Sequence, residues 1–341
     1  GYYLDPGSPC VNTGNVTAAA AGVTNRTTRI DGTPDSDMVD LGYHYGAGFD
    51  TNYANIYVAS DGDDAVNDGI TVLTPFRTIT KALATARDGS RIHIGAGNYT
   101  NLLETFPLTL GGKIGVQLLG TNHAATIVDA NGSNQRVLTL NTACSTRLEG
   151  LTFTGGQPIS GGLYIAGCSG VTIVSCVISS NRVQAASNGA SYGGGICIWD
   201  SSAKLTDCYV VRNIAYIAGV LGTAYGGGIH IQNSVVALAD CRVVGNSNTT
   251  QRTTAYGGGI YMGFGSLTIS NSVIQDNLAG NAGYYGNGGG VSVAGGVLTM
   301  WNVLVYSNRT VNVSPVAHSD GIYVNGAAAT FVNATVAYNY D

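Results

Sequence analysis

The chain has 341 residues, of which only 10% are charged, with 50 Gly, 20 Tyr and a formal net charge of −5. Globular domains ordinarily carry about a quarter charged residues. The 44% apolar content excludes a disordered acidic or basic tail, and the 15 scattered Lys and Arg exclude a basic surface for nucleic acid. No apolar run reaches the roughly 18 residues that a membrane span needs. The absence of an initiating Met and of a signal peptide suggests a processed or excised chain.

Residues 1–46 do not read as the start of a solenoid and carry separate motifs of their own, Leu4-Asp5-Pro6-Gly7-Ser8-Pro9 through Gly14, Arg29-Ile30-Asp31-Gly32 and Asp40-Leu41-Gly42-Tyr43. Among these residues Asp31, Asp35, Asp37 and Asp40 are a candidate calcium cluster. Residues 47–90 read as a connector and an N-terminal cap. Asp61, Asp63, Asp64 and Asp68, with Asn67, make the densest acidic stretch of the chain. Alternate Asp residues on a Gly-containing loop can ligate calcium, although the bidentate Glu of an EF-hand is missing. The alternative is a solvated turn. A short helix is predicted next, with Thr74 as its cap, Pro75 at its first position and Asp88-Gly89 after its end. Phe76, Ile79, Leu83 and Ala86 share one face of it, which would close the end of the stack that follows. Arg91 through Thr100 then reads as a first coil, and 91–341 as the solenoid.

From Gly193 onward one pattern returns. Gly195-Ile196, Gly228-Ile229, Gly259-Ile260, Gly290-Val291 and Gly321-Ile322 each lead after 18 residues to Asn213, Asn246, Asn277, Asn308 and Asn339, and Asn181 precedes the series. A period of 31–33 residues made of short β-like runs and Gly turns is that of a stacked solenoid. Three residues before each Asn stand Ile178, Val210, Val243, Ile274, Val305 and Val336, all β-branched and suited to an inward strand position. Six before stand Ser175, Asp207, Asp240, Asn271, Asn302 and Asn333, a bend column. Stacked Asn side chains can bond to the coils above and below as an amide ladder. The predicted fold is therefore an all-β, right-handed parallel β-helix with a short N-terminal capping helix.

Other columns carry candidate chemistry. Cys176, Cys208 and Cys241 stack inward, either as small apolar fillers or as a disulfide-compatible pair, whereas Cys144 and Cys168 are the better-placed disulfide candidates. Tyr192, Tyr225 and Tyr256 should stack, with Tyr285 near, either to bind sugar rings or to lock coils together. His230 is expected outward and solvated. The connector Ile214-Ala215-Tyr216-Ile217-Ala218-Gly219-Val220-Leu221 is apolar where a loop should be polar. Ile214, Tyr216, Ile217, Val220 and Leu221 are thus a candidate interface, unless the loop folds over its own wall. Asp207 and Asp240 with Lys204 and Arg242 are the nearest approach to a catalytic carboxylate cluster, and a bend role suits them better. No paired carboxylates at glycosidase spacing stand out.

Ile56-Tyr57-Val58-Ala59, Ser60-Asp61-Gly62-Asp63-Asp64, Thr74-Pro75-Phe76-Arg77-Thr78-Ile79 and Arg91-Ile92-His93-Ile94-Gly95-Ala96-Gly97-Asn98-Tyr99 resemble the opening of pectate-lyase-like β-helix proteins. The motifs in residues 1–46 resemble the choice-of-anchor closing module of bacterial extracellular β-helix proteins, where that module follows the coils. Here it precedes them. The order suggests one unit of a tandem array or a subunit that completes its neighbour, joined head to tail into an open filament.

The expectation is therefore an extracellular or cell-surface structural protein without catalysis, a repeat or subunit of a β-helical filament or surface layer. Its partners would be copies of itself, head to tail, with polysaccharide as a second candidate and neither nucleic acid nor a membrane span; no cofactor is certain, and calcium is the candidate. The alternative that the resemblance implies is a carbohydrate-active, polysaccharide-lyase-like enzyme or a sugar-binding adhesin.

Overall fold

A computed structural model describes residues 55–340 apart from 158–160, 186–188, 219–221, 251–252, 281–285 and 312–318, and a few residues before 55. Among the described residues the chain winds into stacked coils whose strands pair in parallel as sheets of ten, nine and eight strands. One coil shows the path. Ile196–Trp199 lies in the eight-stranded sheet, Ser202–Thr206 in the ten-stranded sheet and Tyr209–Val211 in the nine-stranded sheet. The stack starts at Asn55–Val58, which pairs with Arg91–Ile94, one rung ahead of residue 91.

Alternation places the core. Ile196 and Ile198, Leu205 and Val210 point inward and are fully buried, and their register partners Ile229, Ile231, Leu238 and Val243 repeat the arrangement one coil on. A strand has period two, so the residues between them face outward. Bends are made by residues in the left-handed region. Ser175, Asp207, Asp240, Asn271, Asn302 and Asn333 have φ of 48–56°, a conformation that short polar side chains tolerate best.

Where each coil leaves the nine-stranded sheet, Asn181, Asn213, Asn246, Asn277, Asn308 and Asn339 form a ladder. Asn246 shows the pattern: its Oδ1 accepts from Asn213 N at 3.0 Å and Asn213 Nδ2 at 3.0 Å, while its Nδ2 donates to Val210 O at 2.8 Å and Asn277 Oδ1 at 3.0 Å. The amide thus satisfies the backbone where strand pairing pauses, as a buried segment requires.

The connectors are not loops hanging in solvent. Arg182–Ala185, Ile214–Ile217, Ser247–Thr249, Leu278–Ala279 and Arg309–Thr310 pair into a five-stranded sheet, and Gly189–Tyr192, Gly222–Tyr225, Ala255–Tyr256 and Gly286–Asn287 into a four-stranded one. Together they form a lateral arm with its own small core of Val183, Ala215, Ile217 and Ala224. For the described part of the apolar connector this favours the alternative reading, a segment packed on its own chain. Ile217 is fully buried inside the arm, Ile214 is half-buried, and Tyr216 lies under the Arg182 guanidinium at 5.0 Å. Val220 and Leu221 lie outside the described residues. The connector is apolar because it has a core to fill.

Three corrections follow. The capping helix runs Ile79–Thr85 with Thr78 as N-cap, accepting from Lys81 N, not from Thr74. Pro75 and Phe76 are drawn into the coil instead, Phe76 bridging to Val58, while Thr74 Oγ1 donates to Asp68 Oδ1 at 2.7 Å. Cys144 and Cys168 are free thiols, Cys168 being a buried residue that donates to Ala166 O and accepts from Ala143 N. His230 faces outward but is 1% exposed, because the arm folds over it.

Candidate functional site

Two outward surfaces carry chemistry. The first is the outer face of the ten-stranded sheet over its earliest rungs. Ile92, Ile94, Leu118 and Leu148 fill the core, so Arg91, His93, Gln117, Leu119, Arg147 and Glu149 are turned out. Register aligns Arg91 with Gln117, Gln117 with Arg147, Arg147 with Thr172 and Thr172 with Lys204. Arg91, Arg147 and Lys204 therefore recur at every second rung, about 10 Å apart for a strand spacing of about 4.8 Å. Further along this column come Ala237, Thr268, Thr299 and Thr330, so its cations stop at the sixth of the ten strands. Arg147 Nε also pairs with Glu149 Oε2 at 2.7 Å.

Beside this row is a cleft of about 370 Å³ lined by Tyr57, His93, Leu119 and Thr121 from the sheet side and by Val72 and Pro75 from the cap loop. The His93 ring stacks on Tyr57 with centroids 5.0 Å apart and planes at 17°. Its Nε2 donates to Asn55 Oδ1 at 3.0 Å, leaving Nδ1 with its lone pair. Burial, and then the positive charge of Arg91, hold His93 below the ordinary imidazole pKa, so it is a neutral base at pH 7.

The acidic stretch does not line this cleft but holds together the cap loop that supplies Val72 and Pro75. Asp68 takes the Thr74 hydroxyl and Ile70 N, and Asp64 takes Arg77 N at 2.7 Å, Thr78 N and the Thr78 hydroxyl. Asp63 takes Ala65 N and Val66 N. Asp61 lies in the same turn, where Gly62 N donates to Ala59 O. The carboxylates of Asp63, Asp64 and Asp68 thus serve different backbone segments. Among the described residues no three His, Cys, Asp or Glu side chains gather closely enough to hold a metal ion. Asp31, Asp35, Asp37 and Asp40 lie outside the described residues, as do most of the closing-module motifs of residues 1–46. Asp207 and Asp240 are bend residues, Asp207 accepting from Ser175 Oγ at 2.8 Å, and Arg242 sits in the nine-stranded sheet, away from Lys204.

The second surface is the crease between the arm and the eight-stranded sheet. Tyr192, Tyr225 and Tyr256 stack face to face, at 5.5 Å and 6° and then 5.6 Å and 11°. The facing sides of the three rings are thus taken by one another. Tyr285 lies outside the described residues. The stack leans on the outward column of the eight-stranded sheet, where Cys197, His230 and Tyr261 are in register. Tyr225 and Tyr261 ring centroids are 4.7 Å apart, and those of Tyr192 and His230 are 4.8 Å apart. Such ring pairs add about 0.5–1.5 kcal/mol each, so the ladder fastens the arm to the tube. Burial lowers His230 to about 3 and raises Tyr261 to about 12.

The row of Arg91, Arg147 and Lys204 and the His93 cleft escape a reading by sequence alone. The early coils return at unequal intervals, and no repeated Asn marks their register. Only strand pairing reveals that residues 26, 30, 25 and 32 positions apart share one column.

The family described as "Protein of unknown function (DUF1565)" matches residues 60–328. No curated protein matches the sequence. Among solved structures, the chain resembles that of the pectate lyase Pel9A at 17% identity and a TM-score of 0.51, over 84% of this chain and 78% of that one. Pectin methylesterase from carrot aligns at 13% identity and a TM-score of 0.43, over 84% and 87%. A rhamnogalacturonan lyase aligns at 14% and 0.37, over 82% and 87%. The Pel9A likeness shows a shared right-handed parallel β-helix. The expectation of a chain without catalysis is corrected to this extent: its architecture is one that a pectate lyase, Pel9A, is built on. No helix among the described residues is long and apolar enough to cross a membrane.

Proposed function

The chain belongs to the DUF1565 family, and we propose that it is a carbohydrate-active enzyme that takes an extended acidic polysaccharide along the outer face of its ten-stranded sheet. The observation that carries this reading is the alternate-rung row of Arg91, Arg147 and Lys204 beside the His93 cleft. A flat, regularly ridged surface with a cation at every second rung suits a linear polymer with regularly spaced carboxylates, since rung spacing is close to the repeat of an extended sugar chain. Charge-assisted hydrogen bonds from Arg fit carboxylates well.

The chemistry that fits is β-elimination. Arg91 neutralises a uronate carboxylate, which acidifies the adjoining carbon. His93 Nδ1 takes that carbon's proton, the bond from the next carbon to the glycosidic oxygen breaks, and water protonates the departing oxygen. The products are a new reducing end and an unsaturated uronate. General base catalysis of this kind is worth about 10²–10⁴-fold in rate. Such polymers are met outside the cell, so the reading carries an extracellular or cell-surface location with it.

Affinity electrophoresis tests the binding half. Gels containing polygalacturonate or alginate should retard the protein and neutral glucans should not, and Arg91→Ala with Arg147→Ala should abolish the retardation. Equal mobility in acidic and neutral gels would remove the row as a binding surface.

A further inference from the structure

The crease holds a pair of side chains that carbohydrate chemistry does not use. Cys197 Sγ lies 3.7 Å from His230 Nδ1, and the two residues are 3% and 1% exposed. That thiol is the one polar contact of the His230 ring among the described residues. A buried imidazole ordinarily finds a strong hydrogen-bond partner; this one is surrounded by rings. Tyr192 stands at 4.8 Å, Tyr261 at 5.6 Å, Trp199 at 5.8 Å and Tyr225 at 6.2 Å, centroid to centroid.

We propose that Cys197 and His230 form a two-coordinate site for a soft monovalent d¹⁰ cation, copper(I), inside this aromatic enclosure. The ligand set decides the metal. A thiolate and an imidazole select copper(I) or zinc among common ions, and zinc requires four ligands. No third His, Cys, Asp or Glu side chain joins the pair among the described residues. Copper(I) is satisfied by two ligands in a near-linear arrangement. Even at the bond lengths of zinc, about 2.3 Å to sulfur and about 2.0 Å to nitrogen, a metal bridges the 3.7 Å gap as a bent unit, and about 0.6 Å of further separation straightens it.

The surroundings agree. Ring faces and edges exclude water and hard anions and attract a cation through their quadrupoles. Binding replaces the S–H proton by the metal: one proton leaves for solvent, S–Cu and N–Cu bonds form, and no electron is transferred. Zinc-type displacement of protons by metals at buried thiols follows the same balance.

The test uses the whole chain under reducing, anaerobic conditions, with copper(I) presented as its bicinchoninate complex. One copper(I) per chain should be withdrawn from the chelator, and X-ray absorption should show one sulfur and one nitrogen neighbour. Binding should also quench Trp199, one of 2 Trp in the chain. Cys197→Ser and His230→Gln should each weaken uptake at least about 100-fold. The buried column of Cys176, Cys208 and Cys241 is the rival, and Ala334 fills the equivalent place in a later coil. The double change Cys208→Ala, Cys241→Ala should therefore leave uptake intact. Failure to compete with the chelator overturns the proposal, as do undiminished uptake by Cys197→Ser and a shell of two sulfurs lost in the double variant. Should His230→Gln not fold, Cys197→Ser and the absorption spectrum still decide.

Discussion

His93 and Asn246 show how polar side chains on one tube serve two ends. His93 is an outward side chain on a regular strand, made a neutral base by partial burial and by Arg91. Its role fixes the sign of the pH dependence. A base must be unprotonated, so the rate should rise with pH through a pKa below the ordinary value of about 6.5 and stay flat through neutrality. Arg91→Gln removes part of the depression, so the acid limb should move to higher pH. A rate profile on any cleaved acidic polymer reads this, and a rate that falls toward neutral pH would contradict the assignment. Asn246 is inward, and its amide satisfies four partners. Asn246→Ala leaves several of these buried and unpaired, each costing about 1–3 kcal/mol, so a loss of about 3 kcal/mol is expected in urea unfolding.

At the scale of the element, the coil is set by where glycine must stand. Gly226 has a φ of 64°, and a Cβ on Gly227 would fall 2.3 Å from Gly258 O and 2.4 Å from Ser247 C. Arm and eight-stranded sheet meet here backbone to backbone. Gly227→Ala forces a shift that the next coil resists, with an expected cost of about 2–3 kcal/mol and a weakened near-ultraviolet signal from the tyrosine stack. An unchanged spectrum and melting point would mean the junction is looser than its distances imply. Much of this element was legible beforehand. The Gly-Ile-to-Asn interval, the β-branched column and the bend column describe side chains that repeat because each coil copies the last. The arm was not legible, since its apolar face at Ala215 and Ile217 looks the same in sequence whether it seeks a partner or its own core. The cap was misread by one turn because Asp64 and Glu104, which accepts from Ile79 N and Thr80 N at 2.7 and 2.8 Å, start the helix from a distance.

For the whole molecule, the tube is uniform in the core and differentiated on its outside. The column that carries Arg91 continues on the later rungs as Ala237, Thr268, Thr299 and Thr330, whereas Arg91, His93, Arg147 and Glu149 gather on the earlier ones, beside the wall that the cap loop supplies. Function on such a body is a matter of which column changes its chemistry and where. That could not be read from the chain, because a column exists only once register is known. Exposed cations act at a range that salt screens, with a Debye length of about 8 Å at physiological ionic strength, so retention on acidic polymers should weaken steeply as salt is added. The most direct measurement is the ultraviolet absorbance of unsaturated uronate during incubation with polygalacturonate or alginate, with and without calcium. Steady growth with the native chain, reduced at least about 100-fold in His93→Ala, is the predicted result. Absence of unsaturated product from every acidic polymer, or an undiminished rate in His93→Ala, would contradict the account.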